Sequence, residues 1–241
     1  MKKLPRVVLL AAQTARSQAY IQALADTGLQ PASVILLGDD PVPPASTGPA
    51  RWQDLVLPDL GESVSATCAR AGVPVVRCAG ADVNADATVQ ALREAHADIV
   101  IFSGAAGQIV SQRVLELGPR FLHLHSGWLP EYRGSTTLYY ALLNGDPPAV
   151  TAIFLDASID TGPVIARRAY PRPPHGMDVD RVYDAAIRAD LLVRLMRGYA
   201  ETGALEASEA QQPEQGTTYY VIHPVLKHIA LLSLQGKEGK A

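Results

Sequence analysis

Cysteine and long apolar runs are scarce in this chain of 241 residues. Its two cysteines, Cys68 and Cys78, are too few for a disulfide framework and are more typical of reduced thiols in a cytosolic protein. No stretch reaches the roughly 18–20 apolar residues that span a bilayer. Near the N-terminus, Pro5 and Arg6 interrupt the charged-then-apolar order of a signal peptide, which favours a first β-strand. We therefore expect a cytoplasmic protein that makes no membrane contact.

A stripe of positive charge is also missing. The formal net charge is −3, and lysine is nearly confined to the two ends of the chain. Because polyanion binding usually requires clustered Lys and Arg, we expect no nucleic acid among the partners. Apolar residues make up 48% of the sequence and charged residues 19%, so the chain can bury an ordinary hydrophobic core. The length fits one large domain with at most a small appendage.

Strand and helix patterns alternate along most of the chain. Short apolar runs, typical of buried strands, are found at 7–10, 32–37, 73–77, 98–103, 121–125, 149–156 and 162–170. Segments with helical spacing are found at 15–26, 62–71, 84–95, 107–117, 136–144 and 178–199. This alternation predicts an α/β fold, with an open, mostly parallel twisted sheet flanked by helices.

Three regions depart from this regular alternation. Residues 39–61, rich in Pro and Gly, are expected to form a long excursion. The last two strands are separated by few residues, so we expect some antiparallel pairing late in the sheet. The tail carries a final apolar element at 218–234. We predict a catalytic domain over 1–205 and a C-terminal extension over 206–241, which packs on that domain or forms a homodimer contact.

The most informative stretch runs from Phe121 to Ile165. An apolar strand delivers His123 and His125, two residues apart, so both side chains project from the same face. A second apolar run leads to Asp160, and the Thr-Gly that follows permits a tight turn. A histidine can act as acid and base near neutral pH, and a carboxylate beside it would orient its ring. Because a single histidine in a strand is usually structural, the surrounding sequence decides whether these residues form a site.

A Pro/Gly-rich loop, SGWLPEYRGSTT at 126–137, follows the two histidines directly, and IDTGPVI stands at 159–165. Ligand loops of open α/β sheets lie at the carboxyl ends of strands. Both blocks resemble the catalytic core of the formyltransferases that use N10-formyltetrahydrofolate, whose pattern is roughly Asn-x-His-x-x-x-Leu-Pro-x-x-Arg-Gly, then Asp-x-Gly-x-Ile. The resemblance covers residues 95–170 well and the N-terminal units loosely. It implies a Rossmann-like formyltransferase fold.

The resemblance assigns three residues to catalysis. His125 matches the family's histidine, which protonates the leaving nitrogen of the folate or relays a proton from the attacking amine. Asp160 matches the aspartate that holds this histidine in place. His123 replaces the family's asparagine, which donates a hydrogen bond to the formyl oxygen. A histidine N–H can also donate to that oxygen, but it adds a titrating group. We therefore expect either activity with an altered pH dependence or a changed or lost reaction.

The resemblance also implies N10-formyltetrahydrofolate as co-substrate and no metal. The segment 101–110 resembles the family's loop that packs on the pterin, although a Gly-rich strand-to-helix turn is also a common structural element. Predicted contacts with the co-substrate come from Phe102, Gly104, Gly107, Gln108, Ile109, Val110, Asp156 and Ile159. Predicted contacts with the acceptor amine come from Trp128, Arg133, Tyr139 and Tyr140. Packing is the alternative role for Trp128, and loop anchoring is the alternative for Arg133.

Three acceptor classes can be weighed from the sequence. Similar enzymes that formylate methionyl-tRNA carry an additional C-terminal domain and positive charge, whereas here only a short tail follows the last long helix and the net charge is −3. Glycinamide ribonucleotide formyltransferases have a Gly-rich phosphate-binding turn after the first strand, whereas residues 11–17 contain no glycine. By elimination we expect a small-molecule amine, either an amino sugar carried on a nucleotide or an amino-acid-like metabolite.

Two other classes of function compete with formyl transfer. A His-x-His pair with an aspartate is also a ligand set for zinc or iron, which would fit a metal-dependent hydrolase or deformylase. Alternatively, the change from Asn to His123 could leave a folate- or nucleotide-binding module without turnover. Metal analysis of the purified protein would identify the first class, and a turnover assay across many amines would identify the second.

Overall fold

The structure is a computed structural model that describes residues 2–42, 44–46, 48, 50–212 and 214–235. Its strands are β1 (Lys2–Ala12), β2 (Leu29–Leu37), β3 (Ala50–Trp52), β4 (Leu55–Leu57), β5 (Val75–Cys78), β6 (Ile99–Ser103), β7 (Arg120–His125), β8 (Tyr132–Gly134), β9 (Ala149–Phe154), β10 (Val164–Ala169) and β11 (Thr217–Tyr219). Its α-helices are α1 (Ala15–Asp26), α2 (Val64–Ala71), α3 (Asp86–Glu94), α4 (Gln112–Leu115), α5 (Thr137–Asn144), α6 (Asp184–Thr202) and α7 (Pro224–Leu232).

Seven strands form the main sheet in the order β10-β9-β7-β6-β1-β2-β5. The five strands from β7 to β5 pair in parallel, while β9 is antiparallel to β7 and β10 is antiparallel to β9. The predicted α/β fold with a mostly parallel sheet is therefore confirmed, as is the late antiparallel pairing. The chain crosses from one side of β1 to the other on reaching β6. Open α/β sheets form their ligand crevice at such a point.

The apolar runs explain why these strands lie inside the molecule. From Val7 to Ala12, every residue of β1 is buried, because helices cover both faces of a parallel sheet. One face packs against α1 and α6, and the other packs against α3 and the segment around α4. Helix α1 begins at Thr14, whose hydroxyl accepts a hydrogen bond from the backbone N–H of Ser17. This start places the first turn of α1 beside the carboxyl end of β6.

Two of the predicted helices differ from the observed ones. The helix predicted at 107–117 is wrong in extent, because α4 is a single turn over Gln112–Leu115. Gly107 adopts a left-handed φ of 77°, and the side chain of Asn84 bonds to the backbone of Ile109 and Ser111 instead, which keeps the segment before α4 extended. The helix predicted at 178–199 begins with a π-helical turn, Val179–Tyr183, and continues as α6.

The excursion and the tail contain more regular structure than expected. Strands β3 and β4 form a small antiparallel hairpin within the 39–61 excursion, of which residues 43, 47 and 49 lie outside the described residues. The apolar element predicted at 218–234 is divided between β11 and α7, since Pro224 begins a new helix. Strand β11 pairs in parallel with β8, which directly follows the loop after β7.

Helix α7 packs on α5 and leaves much of its apolar surface uncovered. Exposed large apolar side chains around it are Tyr220, Val221, Val225, Leu226, Ile229 and Leu232. The predicted extension over 206–241, of which residues 213 and 236–241 are not described, thus contacts the rest of the chain through β11 and α7. The homodimer contact stays a prediction. Within the described ranges, every helix is too short or too polar to cross a lipid bilayer.

Candidate active site

His123, His125 and Asp160 converge at the carboxyl edge of the sheet. Both histidines lie on β7, where they oppose Ile153 and Thr151 of the antiparallel β9. Asp160 lies in the turn that connects β9 to β10. One potential ligand atom from each of the three side chains lies within 4.8 Å of the others. Residues that are distant in the sequence thus form one cluster, because β9 returns the chain alongside β7.

The ring of His125 has a partner at each nitrogen. Its Nε2 lies 2.7 Å from the backbone oxygen of Tyr132, and its Nδ1 lies 3.3 Å from Oδ2 of Asp160. Because a carbonyl oxygen only accepts hydrogen bonds, Nε2 carries a proton in this arrangement. Gly127 lies against the same ring, and a Cβ atom there would come within 2.8 Å of Nε2. The His125 ring is therefore held on both sides and is nearly fully buried.

Asp160 adopts a left-handed backbone conformation that is uncommon for residues other than glycine, with a φ of 54°. Its Oδ2 accepts a hydrogen bond of 2.9 Å from the backbone N–H of Gly134. Its backbone oxygen accepts a bond of 3.0 Å from Nε2 of Gln211. Burial raises the pKa of this carboxyl, but His125, His123 and the backbone N–H of Gly134 together outweigh burial and hold the pKa below its usual range. Asp160 is therefore a buried anion that faces an imidazole.

His123 is the residue of the cluster with an unused polar atom. Its Nδ1 is buried and has no hydrogen-bond partner among the described residues, although part of the ring stays exposed. Its ring centroid lies 6.0 Å from that of Phe102 and 6.3 Å from that of His125. Burial lowers the pKa of His123 to about 3, against the opposing effect of Asp160. His123 is thus uncharged near neutral pH and can offer a neutral N–H.

Two arginines near this cluster were not among the predicted residues. Arg16, in the first turn of α1, donates from Nε to the hydroxyl of Ser103 at 3.2 Å and from Nη2 to the backbone oxygen of Gly104. Arg188, on α6, donates from Nη1 to the backbone oxygen of Leu124 at 2.6 Å. Both positive charges lower the pKa of His123. The sequence contained a signal for Arg188, since it interrupts the apolar face of a long helix.

The predicted co-substrate residues lie on β6 and on two loops that flank the cluster. Phe102, on β6, and Val110, in the loop after it, are buried, whereas Gly107 and Ile109 in that loop are exposed. A Cβ atom on Gly104 would come within 2.6 Å of the Phe102 ring, so a larger residue there would displace this ring. These residues therefore line the part of the sheet edge that lies next to β6.

The side chains of Gln108 and Asp156 form hydrogen bonds with other groups of the protein. Oε1 of Gln108 accepts a hydrogen bond of 3.2 Å from the backbone N–H of Ala105, and its Nε2 donates to the backbone oxygen of Ala81. Asp156 accepts bonds from the Thr161 hydroxyl at 2.8 Å and from the backbone N–H of Ser158 at 3.1 Å. Ile159, next to Asp160, is 56% exposed and presents an apolar surface. Whether these residues contact a co-substrate stays a prediction.

Of the residues predicted to bind the acceptor, Trp128 is the most exposed, and Arg167 lies over its ring at 6.0 Å. A cavity of about 500 Å³ lies beside it, lined by Trp128, Leu129, Pro130, Glu131, Arg167, Glu209, Gln215 and Gly216. A cavity of similar volume lies between α1, α2 and the excursion, and neither His123 nor His125 lines it.

The side chains of the other three predicted acceptor residues contact other parts of the protein. Arg133 is buried, and its Nη2 donates to the backbone oxygen of Gln212 at 2.9 Å, which favours the anchoring alternative. Tyr139 is buried and donates from its hydroxyl to Asp180 at 2.6 Å. The ring of Tyr140 lies against that of Tyr219, with centroids 4.4 Å apart. Contact of these residues with an acceptor stays a prediction.

Comparison with known proteins identifies what the fold and site resemble. Residues 5–190, well over half of the chain, match the family model described as "Formyl transferase". A methionyl-tRNA formyltransferase from Syntrophus aciditrophicus is 29% identical over 182 residues, which cover 73% of this chain and 54% of that protein. The chain spans about half the length, or less, of the curated relatives that it matches.

Solved structures share the fold at low identity. A sugar N-formyltransferase from a Shewanella species superposes with a TM-score of 0.57 at 16% identity, covering 95% of this chain and 87% of that chain. An N-formyltransferase from Helicobacter canadensis, solved with folinic acid and dTDP-3-aminofucose, superposes with a TM-score of 0.56 at 16% identity, covering 96% and 81%. At this identity the superpositions show a common fold.

Proposed function

The chain belongs to the formyl transferase family, and on that premise we propose that it transfers a formyl group from N10-formyltetrahydrofolate to the amine of a small molecule. The observation that carries this proposal is the convergence of His123, His125 and Asp160 within 4.8 Å, at a sheet edge flanked by two loops. A nucleotide-linked amino sugar is the acceptor class that we favour. Its support is the Helicobacter canadensis neighbour, solved with folinic acid and dTDP-3-aminofucose.

The residues present fit a folate co-substrate. The unpartnered Nδ1 of His123 offers a polar contact, while Ile109 and Ile159, exposed on the two flanking loops, offer apolar surface to a ring. When bound, the co-substrate supplies a formyl group whose carbon accepts the amine, while the folate nitrogen that carried this group leaves. His123, uncharged near neutral pH, donates an N–H to the formyl oxygen as negative charge develops there. In this role a neutral imidazole replaces the neutral amide of the family pattern.

His125 and Asp160 handle the proton in this proposal. One proton must move from the attacking amine to the leaving nitrogen, so the net reaction needs no other reactant. His125 carries a proton at Nε2, which is bonded to the backbone oxygen of Tyr132. To serve the reaction, His125 exchanges this bond for one to the reacting nitrogen. Asp160 holds the opposite side of the ring and stabilises its positive charge during the transfer.

The test is turnover with a panel of amines. Purified protein is mixed with N10-formyltetrahydrofolate and nucleotide-linked amino sugars, amino acids or glycinamide ribonucleotide, and release of tetrahydrofolate is followed by absorbance. We expect release that depends on one amino sugar class and is unaffected by a metal chelator. Activity lost on chelation would instead support a metal-dependent hydrolase, and folate binding without turnover would support a binding module.

Methionyl-tRNA is a second acceptor candidate, because the curated relatives are named methionyl-tRNA formyltransferases. The charge of the chain, −3 overall, gives little support for binding a polyanion. Charged initiator tRNA is therefore included in the same assay at low and moderate salt. Formylation of this tRNA with no turnover of any small amine would overturn the acceptor class proposed here while leaving formyl transfer in place.

A further inference from the structure

A segment near the C-terminus, residues 205–212 and 214–222 and here called the strap, bonds to both loops that carry the site. On one side, the backbone N–H of Ser208 donates to the oxygen of Val164 at 2.7 Å, and Val164 donates to Glu209 at 2.8 Å. On the other side, β11 pairs in parallel with β8, and Ser135 donates to Tyr219 at 2.8 Å. The strap thus connects the loop after β7 with the turn before β10.

Gln211 lies at the centre of this connection. Its Nε2 donates to two backbone oxygens in the same turn, that of Asp160 at 3.0 Å and that of Gly162 at 2.7 Å. Its Oε1 accepts a bond of 3.3 Å from Nη2 of Arg133, which also donates to the backbone oxygen of Gln212. The residue after Arg133 is Gly134, whose N–H bonds to the Asp160 carboxylate at 2.9 Å. One amide group therefore links both loops next to the carboxylate.

Asp160 requires such support. A left-handed backbone at a residue other than glycine costs of order 1–3 kcal/mol and persists only where surrounding contacts enforce it. The two bonds from Gln211 act on the carbonyl groups of this turn, at residue 160 itself and two residues later. If the φ of Asp160 changed to a negative value, its carboxylate would no longer point towards His125 and Gly134.

We propose that Gln211 is a positioning residue for Asp160: its side-chain amide holds the turn at 160–162 so that the carboxylate faces His125. The consequence for catalysis rests on the proposed function, whereas the consequence for geometry does not. Gln211 comes from the strap and not from the segment that carries the family pattern. Residues after 190, outside the matched family region, therefore complete the site.

The geometric part is tested without any substrate, by NMR of two neighbouring amides. The Gly134 N–H reports its bond to the Asp160 carboxylate, and the Ser135 N–H reports the β8–β11 pairing through its bond to Tyr219. In Gln211→Ala, and in Gln211→Glu, which keeps the size but loses the donor, we expect Gly134 to move upfield and to exchange at least tenfold faster. Ser135 should keep its wild-type shift and protection.

Gln212→Ala is the matched control, because Gln212 receives its bond from Arg133 through the backbone oxygen, which the substitution retains. Both amides should behave as in the wild type. The proposal is overturned if Gly134 is unchanged in both Gln211 variants. It is equally overturned if Gly134 and Ser135 lose protection together, since Gln211 would then hold the strap as a whole and not the Asp160 turn.

Turnover tests the catalytic part through a double-mutant cycle. Gln211→Ala should lower kcat at least tenfold with little change in KM, since misplacement of a catalytic group weakens the transition state more than binding. In an Asp160→Asn background the same substitution should cost less than threefold, because its effect passes through the carboxylate. An equal loss in both backgrounds contradicts the positioning role. If no amine is formylated at all, the proposed function fails while the amide measurements still decide the geometry.

Discussion

Two buried aspartates in this molecule are held in nearly the same way and face different partners. Asp59 lies in the excursion beside α1, and Asp160 lies in the turn before β10; each is 8% exposed. Gln22 donates from Nε2 to the backbone oxygens of Asp59 and Glu62, at 2.8 and 3.1 Å. Gln211 donates in the same manner to the backbone oxygens of Asp160 and Gly162. In each case one glutamine amide fixes a turn around an aspartate.

The two carboxylates differ in what they contact. That of Asp59 accepts hydrogen bonds from the Ser46 hydroxyl and from the backbone N–H groups of Gly48 and Gly61, all in its own excursion. That of Asp160 faces the imidazole of His125, which lies on a different strand. The comparison shows that burial and the hydrogen bonds of a glutamine amide can order both the excursion around Asp59 and the turn around Asp160. In the candidate site, the fixed carboxylate also faces a titratable group across the sheet edge, the imidazole of His125.

Removal of that partner should have the largest effect. His125→Ala removes the group proposed to move the proton, and general acid–base catalysis typically contributes 10²–10⁴-fold, so kcat should fall by about that factor. Since the substitution also leaves the buried Asp160 without its imidazole, rates are expressed per folded molecule from parallel thermal unfolding. The exposed His228 provides the control, and His228→Ala should keep the wild-type rate. A His125→Ala enzyme with most of its activity would refute the assignment.

Replacement of each aspartate by asparagine removes its negative charge and allows a direct comparison of the two regions. Asp160→Asn keeps a residue that tolerates the left-handed backbone, yet it takes away the anion beside His125, so kcat should fall about 10–100-fold. Asp59→Asn should leave kcat within about twofold and lower only the free energy of unfolding, by about 1–3 kcal/mol. Steady-state kinetics and urea unfolding of both variants make the comparison. Equal losses of kcat in the two would remove the distinction drawn here.

Removal of the glutamine near Asp59 should affect stability alone. Gln22 is 6% exposed, and its side chain bonds to three backbone groups around Asp59 and Glu62. Gln22→Ala leaves these groups without a partner, so the free energy of unfolding should fall by about 1–3 kcal/mol. The kcat of the folded enzyme should stay at the wild-type value, in contrast to that of Gln211→Ala. Urea unfolding and kinetics at one temperature provide the measurement, and a lowered kcat would contradict it.

The last expected effect is a pH dependence of stability from His123. An unfolded histidine binds a proton below about pH 6.5, whereas folded His123 stays uncharged down to about 3. The unfolded state therefore binds more protons between these values, and stability from this residue falls as the pH drops from 7 to 5. His123→Asn should show a smaller loss across this interval in urea unfolding. Identical pH profiles for the two proteins would show that His123 is not held uncharged.

Sequence reasoning predicted the parallel sheet because its strands are continuous apolar runs, and it predicted His123, His125 and Asp160 because a known pattern carries them. It could not predict β8, since Tyr132–Gly134 has no apolar alternation and pairs with a strand near the C-terminus. Gln211 gave no signal either: it lies in a polar segment, and its importance comes only from where two distant turns meet. The helix expected at 107–117 was shortened by side-chain contacts of Asn84 that periodicity cannot show.

The parallel pairing of β8 with β11 has a consequence for the nascent chain. A ribosome makes the N-terminal part first, so the seven-stranded sheet can assemble while the strap is still unmade. At that stage Gln211 is not yet present to hold the turn around Asp160, and Tyr219 is not yet present to hold the loop that contains β8. The protein should therefore become catalytically active only late in its synthesis, after the seven-stranded sheet has formed. A translation intermediate that is stalled before the strap is made should be compact but inactive.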